Sequence, residues 1–175
     1  MYFLHETKAP GCPVFMNGQL HETFSARGAD LDMDYPWHAA PAGQPLADLP
    51  AELWLITKDK DYSFDYRQAF NGYLISSELL KELDPNDGWQ SAPVQVVSRT
   101  KATVTAVEYH FIRAPRMYPE IAGVSDRLFA VNAPGRAGAV FCDDALGESL
   151  RQRRWRGLAV LPEEQFARAP KLWSQ

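Results

Sequence analysis

The sequence predicts a single α+β domain that is rich in strands and has few, short helices. A pattern of three apolar residues, two small capping residues and leucines four positions apart occurs at 73–83 and again at 140–150. Many other short runs are rich in β-branched and aromatic residues, which favour strands. The 175 residues are 46% apolar and 23% charged, which is typical of one globular domain with a core.

Residues 1–68 are predicted to form an irregular part, rich in strands and loops. The apolar runs at 2–4 and 14–16 are short strand candidates, and Asn17-Gly18 after the second run is a hairpin signal. The tetrapeptide Leu-His-Glu-Thr occurs at 4–7 and 20–23, either by coincidence or because the two copies form paired strands. Frequent prolines predict a loop over residues 25–50, followed by a buried strand at 53–56.

Residues 69–168 are predicted to form an α+β core that contains two strand–cap–short helix–strand units. The first helix is expected to begin at Ser76 or Ser77 and to end in the turn at 84–88. The second should begin at Asp143 or Asp144 and run to about Trp155, before a stop at Gly157. Further strands are predicted at 94–97, 104–111, 128–131 and 158–161.

Charge is distributed unevenly along the chain, although the net charge is only −4. Residues 1–87 contain fourteen acidic and six basic side chains, whereas residues 88–175 contain eight acidic and twelve basic ones. This difference indicates an acidic face on the N-terminal half, which favours a cationic partner and disfavours nucleic acid. Two ordinary solvated surfaces would give the same counts.

The four histidines, at positions 5, 21, 38 and 110, do not have the spacing of metal ligands. In a strand, the adjacent side chains of His5 and Glu6 would point to opposite faces, as would those of His21 and Glu22. Such pairs would not converge on one ion. The sequence therefore predicts no metal site and no cofactor.

Other catalytic motifs are missing from the sequence. It has no Gly-x-Ser-x-Gly elbow, and the glycines at 135 and 138 lack the lysine and the length of a phosphate-binding loop. Cys142 lies in an apolar triplet, where a thiol is usually buried and unreactive. The arginines at 151–156 suggest nucleic acid, but at the end of a predicted helix they are better explained by the helix dipole.

Two segments of the N-terminal part combine carboxylates with aromatic side chains. The alternating aspartates that begin at Asp30 resemble the start of a calcium loop, but Tyr35 and Pro41 stand where such a loop needs Gly and Glu. A solvated loop and a charged surface for protein recognition are the remaining interpretations. The candidate contact residues of the second interpretation are Asp30, Asp32, Asp34, Trp37, Asp59, Asp61 and Tyr62.

The N-terminal residues contain neither a basic segment nor a long apolar one, so no signal peptide is predicted. No run approaches the roughly 18–20 apolar residues of a membrane span. Cys12 and Cys142 are too few for a disulfide scaffold and predict two reduced thiols. We therefore expect a cytoplasmic protein without a membrane partner.

The repeated pattern is similar to that of the bacterial polymorphic-toxin immunity proteins. Residues 73–79 with a strand after Pro93, and residues 140–146 with a strand at 157–162, resemble their apolar strand, Ser-Glu-x-Leu helix start and late Gly-Leu strand. The resemblance covers roughly residues 70–165 and leaves the N-terminal third unmatched. It implies a small α+β cytoplasmic protein that binds a toxin delivered by a neighbouring cell, through a type VI or contact-dependent route.

The leading hypothesis is an immunity protein that neutralises a cognate toxin by stoichiometric binding and has no enzymatic activity. The toxin is expected to have a basic surface, and the oligomeric state is left open. Aromatic side chains would anchor the interface and carboxylates would orient it. One alternative is a small cytoplasmic enzyme that uses His38 or His110 with nearby carboxylates, and another is a scaffold domain without a toxin partner.

Overall fold

Two β-sheets and two short helices make up the part of the protein that the structure describes. The computed structural model describes residues 1–38, 46–85, 88–134 and 136–174. Parts of the predicted proline-rich loop (39–45), of the turn after the first helix (86–87) and of a later turn (Gly135) lie outside the described residues. Strands account for 37% and helices for 14%, which confirms the predicted strand-rich α+β class.

The helices are α1 (Ser77–Leu83) and α2 (Asp144–Arg151). Within the described ranges, no helix is long and apolar enough to cross a membrane. The strands are β1 (Tyr2–Glu6), β2 (Gly18–His21), β3 (Leu53–Thr57), β4 (Tyr66–Ala69), β5 (Gly72–Ser76), β6 (Gln90–Ser98), β7 (Tyr109–Arg113), β8 (Met117–Tyr118), β9 (Leu128–Ala133), β10 (Arg136–Cys142) and β11 (Leu158–Pro162). Short 3-10 helices occur at Gly28–Asp30, Glu163–Gln165 and Leu172–Ser174.

The strands are arranged in one six-stranded and one five-stranded sheet. The six-stranded sheet has the order β2-β3-β6-β7-β5-β4, and the five-stranded sheet has the order β11-β1-β10-β9-β8. The pairs β3–β6 and β8–β9 are parallel, whereas the other neighbours within these sheets are antiparallel. The second sheet therefore combines the first strand of the chain with strands near its C-terminal end.

The repeated sequence pattern forms the same topological unit twice. In unit 1, which consists of β5, α1 and β6, both strands pair antiparallel with β7, which lies between them. In unit 2, which consists of β10, α2 and β11, β1 takes the corresponding middle position. The outer strands of each unit are therefore parallel, and a helix connects them, as parallel strands require.

In each helix the N-cap is the first of the two predicted capping residues, Ser76 in α1 and Asp143 in α2. The Leu79 N–H donates to Ser76 Oγ at 3.2 Å, and the Leu146 N–H donates to Asp143 Oδ1 at 2.7 Å. These bonds satisfy backbone donors that the first turn of a helix leaves free. The predicted helix starts are confirmed.

Several predicted boundaries are wrong because side chains satisfy the backbone in ways that local patterns do not show. Helix α2 ends at Arg151 rather than near Trp155, whose Nε1 donates to the Leu150 carbonyl at 2.8 Å. Residues 104–108 precede β7 as irregular chain, where the Val107 N–H donates to Thr105 Oγ1 at 3.0 Å. The apolar run at 14–16 is also not a strand.

The predicted N-terminal hairpin is also wrong. Strand β2 begins at Gly18, but it pairs with β3 in the six-stranded sheet, whereas β1 lies in the five-stranded sheet. The two copies of Leu-His-Glu-Thr therefore lie in different sheets and are not paired with each other. The division proposed at residue 68 does not follow the division between the sheets, because β1 completes unit 2.

A shared hydrophobic core lies between the two sheets and the two helices. Leu79 and Leu83 of α1 and Leu146 and Leu150 of α2 are at most 3% exposed. They belong to one cluster with buried side chains from both sheets, which include Leu4, Tyr73, Ile75, Ile112, Val140, Cys142 and Leu158. The spacing of four residues thus places both leucines of each helix on the face that packs against the sheets.

Arg67 of β4 connects the two sheets through backbone carbonyl groups. Arg67 is 2% exposed. Nη1 donates to the Tyr66 and Gly157 carbonyls, both at 3.0 Å, and Nη2 donates to the Thr7 carbonyl at 3.1 Å. Nε donates to the Pro13 carbonyl at 3.4 Å. These bonds compensate for burying the guanidinium, which otherwise costs several kcal/mol.

Candidate partner-binding surface

Asp30 is compensated by two cations from distant parts of the sequence. At the end of the 3-10 helix Gly28–Asp30, its carboxylate forms ion pairs with Lys58 and Arg99. The hydrogen bond from Lys58 is the main reason why the pKa of Asp30 is lowered from its ordinary value. Because its charge is balanced locally, Asp30 contributes little to an acidic surface field.

Asp32 and Asp34 are exposed and have no hydrogen-bonded or ion-paired partner among the described residues. Met33 lies between them and is 43% exposed. The backbone of this segment is fixed by His38, whose Nδ1 donates to the Met33 carbonyl at 2.9 Å. The His38 N–H donates to the Tyr35 carbonyl at 2.8 Å. Two carboxylates and a thioether side chain are therefore exposed on a segment whose backbone is fixed by hydrogen bonds.

Trp37, one of the predicted contact residues, lies in the interior beneath this segment. It is 2% exposed and stacks on Tyr35 with ring centroids 5.3 Å apart. Its Nε1 donates to Glu22 Oε1 at 2.8 Å. Its carbonyl accepts hydrogen bonds from Asn71 Nδ2 at 2.6 Å and from Arg113 Nη1 at 2.7 Å. A tryptophan beside exposed aspartates is buried here because the sheet supplies an apolar site and its N–H has a partner.

Asp59 and Tyr62, two further predicted contact residues, bond to each other inside the protein. Tyr62 is fully buried, and its hydroxyl donates to Asp59 Oδ2 at 2.7 Å. Burial raises the pKa of Tyr62 far above its ordinary value. Asp59 Oδ2 also accepts from the Asn17 N–H at 2.8 Å. This carboxylate is therefore occupied in joining two segments of the chain.

Asp61 remains as an exposed carboxylate of the second predicted segment. It lies beside the N-terminal loop, because an added Cβ at Gly11 would be 2.8 Å from Asp61 Oδ2. The Ser63 N–H donates to the Gly11 carbonyl at 2.9 Å and fixes the loop there. Of the seven predicted contacts, the exposed aspartates without a bonded partner are thus Asp32, Asp34 and Asp61.

The histidines named in the enzyme alternative are not placed beside carboxylates by hydrogen bonds. His38 bonds to the Met33 carbonyl, and burial lowers the pKa of His110 from its ordinary value. Across residues 1–38, 46–85, 88–134 and 136–174, no group of three His, Cys, Asp or Glu side chains is arranged to hold a metal ion.

The two cysteines are buried free thiols, as the sequence predicted. Burial raises the pKa of Cys142 to about 12 and also raises the pKa of Cys12. Both therefore remain protonated at neutral pH, and a protonated thiol is a poor nucleophile.

A cleft that no sequence motif indicates lies between the two sheets and the N-terminal loop. It has a volume of about 400 Å³. Its lining combines apolar side chains with a few polar ones: Phe3, Leu4, His5, Glu6, Val14, Phe15, Tyr66, Gln68, Arg136, Ala137, Ala139, Phe166, Lys171 and Leu172. Phe15, at 75%, is the most exposed of the large hydrophobic residues in the described ranges. The cleft brings together positions from both ends of the sequence, so no local motif marks it.

The sequence matches the model of one protein family. A family model described as Immunity protein 43 matches residues 4–117, which is more than half of the sequence. The chain belongs to the immunity protein 43 family. A comparison with curated proteins finds no match. The immunity protein 43 match begins within β1 and runs through the six-stranded sheet and unit 1 to Met117, the first residue of β8.

The immunity protein 43 match confirms the predicted relationship to bacterial immunity proteins but not the residues expected to carry it. The resemblance was placed at roughly residues 70–165, with the N-terminal third unmatched. The family model instead includes most of that third and ends before unit 2. The irregular N-terminal segments, rather than the second copy of the pattern, are thus part of what immunity protein 43 chains share with this one.

Proposed function

We propose that this protein neutralises a cognate bacterial toxin by forming a stoichiometric complex with it, without chemistry of its own. The observation that carries the proposal is the family match over residues 4–117. The toxin would be delivered by a neighbouring cell through a type VI or contact-dependent route. The complex would form in the cytoplasm of the recipient cell.

The exposed carboxylates Asp32, Asp34 and Asp61 support a partner with a basic surface. They lie in the half of the chain that contains fourteen acidic and six basic residues. Asp32 and Asp34 flank the exposed Met33, so the turn offers both charge and an apolar contact. Charge complementarity of this kind accelerates association and orients the partners before they dock.

Co-expression with the toxin encoded next to this protein tests the proposed function. The expected result is that growth is restored and that the two chains purify together in a fixed ratio. A toxin variant without its catalytic activity is the control for co-purification, because binding does not require that activity. Restored growth without a complex would contradict stoichiometric binding.

Charge reversal at Asp32 and Asp34 tests the proposed contact surface. We expect the double variant Asp32→Lys/Asp34→Lys to slow association with the toxin roughly tenfold at low salt, and less at high salt. The matched control is Glu120→Lys, an exposed acid outside this turn. Stopped-flow association rates measure both. Equal rates for the double variant and the wild type would exclude these residues as contacts.

A further inference from the structure

The loop that carries Phe15 is fixed at both ends, although the phenylalanine itself is exposed to solvent. The Pro13 carbonyl accepts a hydrogen bond from Arg67 Nε at 3.4 Å. After Phe15, the Asn17 N–H donates to Asp59 Oδ2 at 2.8 Å. Yet Phe15 is 75% exposed. A large aromatic side chain on a held loop is typical of an interface anchor, because it is presented without an ordering cost on binding.

The floor of the adjacent cleft is apolar and comes from both sheets. Phe3 and Leu4 of β1, Tyr66 of β4 and Ala139 of β10 line it together with Phe166. Phe3 and Phe166 are in edge-to-face contact, with ring centroids 5.2 Å apart. The volume of about 400 Å³ lies within the range of roughly 300–1,000 Å³ that is usual for binding pockets. The floor is therefore large enough for one or two apolar side chains.

Arg136 supplies the cleft with a positive charge that no carboxylate balances in the described part of the chain. Its guanidinium lies over the Phe166 ring, 5.1 Å from the centroid. Burial lowers the pKa of Arg136 from its ordinary value. Arg116 shows the contrast, because it lies over Tyr118 at 4.5 Å and also forms an ion pair with Asp126 at 3.4 Å.

The other charged groups of the cleft are already engaged. The Gln68 N–H donates to Glu6 Oε1 at 2.9 Å, and burial raises the pKa of Glu6 above its ordinary value. Gln68 Nε2 donates to the Ala137 carbonyl at 2.7 Å. His5 and Lys171 have interactions of their own. Arg136 is therefore the group that is available to bind an incoming anion.

We infer that this cleft binds an extended segment of the toxin that places an apolar side chain on the floor and a carboxylate against Arg136. Phe15 would pack on the other side of the same segment. The inference rests on the proposed function and extends it. The toxin would contact an acidic region of this protein near Asp32 and a basic group, Arg136, in the cleft. The Phe15 loop joins the two regions, since its Asn17 end is bonded to Asp59, close to Asp61.

Affinity measurements on the full chain with purified, catalytically inactive toxin test the inference. We expect the dissociation constant to rise about 30-fold for Phe15→Ala and about 10-fold for Arg136→Gln. The matched controls are Met117→Ala, which truncates another exposed apolar side chain, and Arg116→Gln, which removes another arginine that lies over a ring. Both controls should change the dissociation constant less than about twofold. Circular dichroism melting of each variant establishes that it is folded.

The outcomes separate this inference from the proposed function. Wild-type affinity in folded Phe15→Ala and Arg136→Gln would overturn the cleft as a contact and leave the proposed function intact. A wild-type chain that does not bind the toxin would overturn both. Concentration-dependent dimers that Phe15→Ala abolishes, measured by sedimentation without toxin, would show instead that a second copy of this chain occupies the cleft.

Discussion

Units 1 and 2 have the same topology but obtain their middle strand in different ways. Strand β7 follows unit 1 along the chain, whereas β1 reaches unit 2 from the N-terminal end. The helices differ accordingly: Leu80 of α1 packs partly against the core, and α2 has Gly147 at the equivalent position. An added Cβ at Gly147 would lie 2.2 Å from Tyr2 Cδ2. The same local pattern can thus take its middle strand from a nearby or a distant part of the sequence. The residue on the helix surface, leucine or glycine, differs with the strand that packs there.

The largest effect is expected when the connection between the two sheets is removed. Arg67→Met would remove the hydrogen bonds that the guanidinium donates to the Gly157, Thr7 and Tyr66 carbonyls, and should lower the free energy of unfolding by roughly 3 kcal/mol. Arg168→Met, at an exposed arginine, is the control and should change it by less than about 0.5 kcal/mol. Urea unfolding measures both. Equal midpoints would mean that Arg67 does not stabilise the junction.

A double-mutant cycle tests whether Gly147 is required by the distant strand. In the wild type, Gly147→Ala should destabilise by about 1–3 kcal/mol, because the new methyl group collides with Tyr2. In a Tyr2→Gly background, where no side chain of residue 2 remains to collide, the same change should stabilise by up to about 1 kcal/mol, since alanine is the better helix former. Thermal unfolding of the four proteins gives the coupling. The same sign in both backgrounds would contradict this explanation of the glycine.

The caps of the two helices should have similar but distinguishable strengths. Ser76→Ala and Asp143→Ala each remove a bond to the first turn and should cost about 1 kcal/mol. The loss at Asp143 should shrink in high salt, because part of its effect is the attraction of a charge to the helix dipole. Urea unfolding at low and high salt compares them. A salt-dependent loss at Ser76 alone would contradict the assignment.

The smallest effect concerns the end of α1. Asp84 adopts a left-handed conformation with φ 41° and ψ 61°, and its N–H donates to the Leu80 carbonyl. Asp84→Gly should therefore raise the free energy of unfolding by up to about 1 kcal/mol. After α2 a left-handed position is Gly157, at φ 76°, where Gly157→Ala should destabilise instead. Differential scanning calorimetry would detect opposite shifts in the two midpoints.

The parts of the fold that could be predicted from the sequence are those determined within a few residues. Ser76 and Asp143 cap their helices, and the apolar run at 53–56 is a buried strand, because capping and side-chain alternation are local properties. The insertion of β1 between β10 and β11 could not be predicted in this way. Strand pairing is decided by which apolar faces are complementary across the whole chain, and no turn signal marks a distant partner.

The candidate surface was predictable only in part, for a similar reason. Composition indicates which half of the sequence is acidic, but the exposure of each side chain depends on tertiary partners. Lys58 and Arg99 approach Asp30 from other segments, and the sheet buries Trp37 and Tyr62. An exposed phenylalanine and a buried one look the same in sequence, so Phe15 gave no signal. The sequence does not mark Arg136 either, because its lack of an ion-paired carboxylate within the described ranges is a tertiary property.

The position of β1 also determines when the five-stranded sheet is able to form. A ribosome synthesises β1 long before β10 and β11, the two strands that flank it. At a synthesis rate of about 5–20 residues per second, β10 and β11 are completed on the order of ten seconds after β1. The cleft needs β1 and β10 together, so it cannot exist on a nascent chain. Under the proposed function, a recipient cell would depend on molecules whose synthesis was complete before the toxin arrived.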